Sequence, residues 1–201
     1  MTEAAGQPLL DFLHDMRRLR RECPWKREQT HRSLARYLQE ESAEALEAID
    51  TGDEQHLREE LGDLLLQIYF HAVIAEESGA FTIDDVARGI SDKMHHRNPH
   101  VFGPDGGSTE LTAAEVDAQW QRIKESERPR RSPDDGIAPQ LSALLLATKV
   151  LERAPGAAVP TDSDDLGDRL LALVAEAVAD GVDPEQALRD AVRRTTGAAG
   201  G

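Results

Sequence analysis

The chain has 201 residues and a formal net charge of −15, with 39% hydrophobic and only 4% aromatic residues. That length holds one well-formed core plus a smaller appendage, and a chain rich in Ala and Leu but poor in aromatics favours helices over a sheet sandwich. So acidic a balance lacks the clustered Lys and Arg that nucleic-acid binding requires, and no stretch reaches the roughly 18 apolar residues needed to cross a bilayer.

The first helix is expected from residue 9 to about 21, with Leu9, Phe12, Leu13, Met16 and Leu19 on one face and Pro24 ending it. A loop, CPWKREQ, follows. Thr30 then caps a long acidic helix from about 31 to 50. Gly52 marks a turn, and a third helix runs from about 54 to 78, stopped by Gly79. With so short a connection these two long helices pack antiparallel. Thr82 caps a fourth helix, whose Ile83, Val86, Ala87, Ile90 and Met94 are expected to face the core and which breaks before Asn98-Pro99. The stretch GPDGGSTE reads as a loop, and Thr112 with Glu115 makes a capping box for a helix carrying Val116, Trp120 and Ile123.

The charged, proline-bearing run ESERPRRSPDDG reads as a linker, so a first domain covers 1–127 and the linker 128–137. Residues 138–195 contain an internal echo of the first domain, in which Leu166-Gly167-Asp168 matches Leu61-Gly62-Asp63. Asp165 and Asp168 replace Glu60 and Asp63 there, without paired glutamates upstream. This half reads as a truncated, degenerate repeat that has lost its site, and 196–201 as a flexible tail. The single Cys23, the absence of a CxxC and an N-terminus without a basic head and apolar run point to a cytoplasmic protein.

Five carboxylates interrupt the apolar stripes of the two long helices: Glu40, Glu41 and Glu44 in the first, Glu60 and Asp63 in the second. Glu41 lies three residues after Leu38 and four before Ala45, in a stripe of Leu34, Leu38, Ala45, Ala48 and Ile49. Glu60 lies three after Leu57 and four before Leu64, in a stripe that continues through Leu61, Leu65 and Ile68. Both point inward, and carboxylates gathered in a helical core are very costly unless a cation neutralises them. Hard divalent ions such as Mg²⁺ take carboxylate oxygens and are commonly completed by substrate phosphates, which suggests phosphoanhydride hydrolysis. A spare carboxylate could then orient or deprotonate the water.

The ordered set CPWKREQTHRSL, EESAE, EELGD, DKMHHRNPHVFG and WQRIK resembles the MazG nucleoside triphosphate pyrophosphohydrolases over about residues 9–127. The resemblance implies an all-α helical bundle built on a long antiparallel helix hairpin, with a shortened C-terminal repeat. It also implies an enzyme dependent on Mg²⁺, or on Mn²⁺ in its place, that converts NTP or dNTP to the monophosphate and pyrophosphate, and a homodimer with sites near the subunit interface. Carried over residue by residue, Glu41, Glu44, Glu60 and Asp63 are the implied metal ligands, with Glu40 supporting them or handling the water. Lys93 and Arg97 are the implied phosphate-binding cations. Trp120 and Lys124 are the implied pair for base or sugar stacking and a further phosphate contact. Lys26 and Asn98 stand where the family usually has Asp and His.

Blander readings remain beside these. Trp120 also suits a core anchor, Lys93 and Arg97 a solvated face, and Cys23 a buried small hydrophobe. A catalytically weak nucleotide sensor or helical interaction module is the alternative function, suggested by the reduced repeat and altered loop. A di-iron bundle needs Glu-x-x-His on two helices, and only Glu28 to His31 fits.

Overall fold

The structure, a computed structural model, describes residues 6–104, 111–127, 131–154 and 156–197. Most of the Gly-rich loop, the start of the linker and most of the tail lie outside the described residues. Every regular element among the described residues is a helix, in agreement with the all-α expectation. They fall into two compact units, Met1–Leu111 and Thr112–Gly201, so the helix after Thr112 groups with the second unit although the sequence reading closes its first domain at 127.

In the first unit α1 spans Gln7–Glu22, α3 His31–Thr51, α4 Glu54–Glu77 and α5 Ile83–Arg97. Two short helices, α2 (Pro24–Glu28) and α6 (Pro99–Phe102), occupy stretches that carry no helical periodicity of their own. The boundaries have local causes. Thr30 and Ser33 cap each other's backbone at the start of α3, and Thr82 does the same with Asp85 at α5. Gly52 closes α3 with φ of 73°, a left-handed conformation that a side chain would strain. Asp53 starts α4 by accepting from the backbone N–H groups of Gln55 and His56, each at 3.0 Å.

The tight Gly52-Asp53 turn makes α3 and α4 antiparallel and sets their register. His31 meets His71, and ten residues further along α3, Glu41 comes beside Glu60 and Asp63. The core gathers at the open end of this hairpin, where Leu13 and Met16 of α1, Leu34 of α3 and Tyr69, Phe70 and Val73 of α4 pack together. Small buried residues, Ala45 and Ala48, line α3 toward the closed end. Two Arg–Glu forks, Arg17–Glu76 and Arg20–Glu77, fasten α1 to the end of α4.

Several stripe residues do not reach this core. Ile49 is 57% exposed, Leu61 53%, Ile68 46% and Ile90 52%, and Leu9, Leu19, Leu38, Val86 and Met94 are exposed as well. Of the expected core face of α5 only Ile83 packs against the cluster. The physical reason is area. α4 is apolar on more than one face, and α1 and α3 cover only part of it. Cys23 is half-buried between α1 and α2, where a buried thiol was expected.

In the second unit α7 spans Ala113–Glu127, α8 Ala143–Arg153, α9 Leu166–Ala179 and α10 Pro184–Thr196. Thr112 and Glu115 form the expected capping box. In α4 the Leu-Gly-Asp sequence lies within the helix, but in α9 it opens the helix. Asp165 there accepts from the Asp168 backbone as N-cap, and the Asp168 side chain accepts from Ser163 Oγ at 2.7 Å. These aspartates hold a helix end.

Candidate metal centre

Glu41 from α3 and Glu60 and Asp63 from α4 each offer a carboxylate oxygen, and the three oxygens lie within 4.8 Å of one another. The hairpin register brings the two helices level, and the three-residue spacing of Glu60 and Asp63 puts both on adjoining faces of one turn. Burial grades across the set: Glu60 is buried at 9% exposed, Glu41 is half-buried and Asp63 is exposed. Of the two residues expected to point inward, Glu60 is buried and Glu41 reaches only the edge of the helix seam. Burial, then the charges of Asp63 and Glu44, then a hydrogen bond with Glu44 and the charge of Glu60 push the Glu41 carboxyl above its ordinary value. Glu44 therefore belongs to the same electrostatic cluster, one turn along α3 from Glu41. Glu40 is exposed beside it in sequence.

One oxygen of Glu60, Oε1, lies 3.0 Å from His56 Nε2, at ion-pair distance, while Oε2 is buried with no hydrogen-bond partner. A buried, unpaired carboxylate oxygen next to two further carboxylates is unfavourable in the chain alone. A hard divalent cation would offset that cost. The donor set fits one, because it consists of oxygens without sulfur or imidazole, the chemistry preferred by Mg²⁺ and Mn²⁺. Among the described residues no other group of three His, Cys, Asp or Glu side chains converges in this way.

The other predicted site residues divide by unit. Lys93 is exposed and Arg97 half-buried on successive turns of α5, in the first unit. Trp120 and Lys124 lie one turn apart on α7 in the second, with Lys124 Nζ 4.8 Å from the Trp120 ring centroid. Lys26, in place of the usual acidic residue, sets its Nζ 5.6 Å from the ring centroid of Trp25 and 5.1 Å from that of Phe70. Sequence reading passed over His56, although its four-residue spacing from Glu60 was a signal for contact on one helix face. It also left His31 and His71 apart, since nothing local joins residues forty positions distant.

Residues 29–102 match the family model described as the MazG nucleotide pyrophosphohydrolase domain. An uncharacterized 26.1 kDa protein from the blaB 3' region of Streptomyces cacaoi is 44% identical, over 96% of this chain and 84% of that protein. The nucleoside triphosphate pyrophosphohydrolase/pyrophosphatase MazG of Thermotoga maritima is 37% identical, over 86% of this chain and 75% of that one. The nucleoside triphosphate pyrophosphohydrolase of Mycobacterium tuberculosis is 43% identical over 93% of this chain, which spans only 55% of its length.

Proposed function

This chain belongs to the MazG nucleotide pyrophosphohydrolase family, and from that premise we propose that it hydrolyses nucleoside triphosphates, NTP or dNTP, to the monophosphate and pyrophosphate. The convergence of Glu41, Glu60 and Asp63 within 4.8 Å on two facing helices supports this reading above all. These residues, with Glu44 beside them, would hold Mg²⁺ or Mn²⁺. When bound, such a cation neutralises phosphate charge and lowers the pKa of a coordinated water.

The water oxygen bonds to the α-phosphorus while the α–β phosphoanhydride bond breaks and pyrophosphate leaves. Glu40, exposed beside Glu41, is assigned to orient the water and take its proton. Lys93 and Arg97 are assigned to the phosphates, and Trp120 and Lys124 to the base or sugar and a further phosphate. The role is cytoplasmic control or cleaning of the nucleotide pool. No helix of the described residues is long and apolar enough to cross a membrane.

The working form in this reading is a homodimer. Leu61 and Ile68 on α4 and Ile90 on α5 are roughly half exposed, and a second copy is the occupant that would cover them. Incubation with each NTP and dNTP plus Mg²⁺ or Mn²⁺, with pyrophosphate measured, tests the activity. No pyrophosphate from any substrate at neutral or alkaline pH overturns it, and tight nucleotide binding without turnover would make the chain a sensor.

A further inference from the structure

We propose that His56 is a positioning residue for Glu60, fixing one carboxylate oxygen so that the other is presented to the divalent cation shared with Glu41 and Asp63. The inference rests on the metal-centre reading above and goes beyond it by adding a residue that the acidic motif does not contain. His56 Nε2 lies 3.0 Å from Glu60 Oε1, an ion-pair contact that sets the imidazole against that one oxygen. That leaves Oε2 as the buried atom without a partner, in the residue whose carboxylate meets those of Glu41 and Asp63.

His56 is itself held. Its backbone N–H donates to Asp53 Oδ1 at 3.0 Å, and the Leu57 N–H donates to the Asp53 carbonyl at 2.8 Å, so the first turn of α4 is anchored. From that anchored turn the imidazole reaches one turn forward to Glu60, the spacing at which helical side chains meet. The chain of contacts therefore runs from the Asp53 cap, through His56, to the ligand. Without His56 the Glu60 side chain could rotate about several bonds inside a cluster of like charges. Outer-shell partners of this kind orient metal-binding carboxylates, and losing one typically weakens metal affinity about tenfold to a hundredfold.

An ordinary stabilising pair predicts something different. It would alter melting temperature and leave metal affinity alone. The test is calorimetric titration of the full chain with Mn²⁺ in the absence of nucleotide, for the wild type, His56→Ala and His56→Gln. Circular dichroism checks that helix content is kept. The expected result is a Kd for Mn²⁺ raised about tenfold to a hundredfold in His56→Ala, and restored to within about threefold of wild type in His56→Gln, whose amide can still donate. Wild-type affinity in a folded His56→Ala overturns the assignment, as does a His56→Gln as weak as the alanine variant. If His56→Ala does not fold, His56→Leu, similar in bulk but without a ring nitrogen, takes its place: a Kd for Mn²⁺ raised about tenfold or more supports the role and wild-type affinity refutes it. A wild-type chain that takes up no Mn²⁺ removes the metal-centre reading and this inference together, an outcome distinct from wild type and His56→Ala binding equally.

Discussion

The Nδ1 atoms of His31 and His71 stand 2.7 Å apart across the α3–α4 hairpin, their rings stacked within 4° of parallel. One nitrogen must donate and the other accept, so the contact holds a single proton between two imidazoles. Burial first, and then His31, lower the His71 pKa below its ordinary value. A lowered folded-state pKa favours the neutral ring. The stability it contributes is fully present above the ordinary imidazole range and is lost as pH falls from there through the lowered value. Thermal denaturation from about pH 8 to pH 5 is expected to show a melting temperature that drops below about pH 6.5, with a shallower drop in His71→Phe. Equal slopes in the two proteins would refute this role for the pair.

Arg20 ties three segments together. Its Nε and Nη2 donate to the Glu77 carboxylate at 2.8 and 3.0 Å, and Nη1 donates to the Lys26 and Gln29 carbonyls. With the Arg20 side chain only 10% exposed, Arg20→Ala leaves the carbonyls of the α1–α3 connector without that donor, at a cost of about 2 kcal/mol. For a chain of this size the expected fall in melting temperature is about 6 °C. Arg18 pairs with Glu22 in full exposure, so Arg18→Ala is the control and is expected to be silent.

Much of the first unit was legible because its signals are local. Thr30, Thr82 and Thr112 act through hydroxyls that accept from backbone N–H groups three residues on, and Gly52 through its own left-handed backbone, so they set helix ends close to where the sequence placed them. The acidic cluster was legible for a related reason: a two-residue turn forces antiparallel register, so Glu41 and Glu60 come level whatever the rest of the chain does. The core was less legible. Periodicity says that Leu61, Ile68 and Ile90 share faces with other apolar residues, but it cannot say which face meets the same chain and which is left exposed. The His31–His71 contact joins two helices through a register that no single segment carries.

Gly62 lies inside α4 between Leu61 and Asp63, has no left-handed backbone, and a Cβ built on it would meet nothing within 4 Å. Glycine within a helix costs about 1 kcal/mol relative to alanine, so nothing inside this chain accounts for it. Gly62→Ala is therefore expected to raise the melting temperature of the isolated chain by about 3 °C. If a phosphate group or a second copy approaches α4 here, the same variant loses turnover. An alanine variant that is both more stable and fully active would show that the space beside Asp63 is not used.

The exposed apolar residues of α4 and α5 make the homodimer testable. Light scattering coupled to size exclusion is expected to give twice the chain mass for the wild type. Ile68→Asp and Ile90→Glu are expected to give a single chain, since a charge placed in an apolar interface is left desolvated and unpaired. Each substitution lies on an exposed position, so the helical fold should survive. A wild type that runs as a monomer at every concentration removes the dimer.

Glu41→Gln separates the structural cost of the acidic cluster from its use. At neutral pH the Glu41 carboxylate faces the charges of Asp63, Glu44 and Glu60, and removing it should stabilise the metal-free chain by about 1 kcal/mol, the size of one like-charge repulsion at about 4 Å with the screening of bulk water. The sign follows from the raised pKa. Folding favours the protonated carboxyl, so its contribution to stability is greatest below the ordinary carboxylate range and is lost as pH rises through the raised value. The advantage of Glu41→Gln over wild type should therefore be large at neutral pH and shrink on acidification. Excess Mg²⁺ or Mn²⁺ should reverse the order, because binding stabilises only the protein that keeps the ligand. Melting curves of both proteins across pH, with chelator and then with metal, check each step, alongside loss of pyrophosphate release in the variant. A Glu41→Gln protein that responds to metal as the wild type does would take Glu41 out of the ligand set.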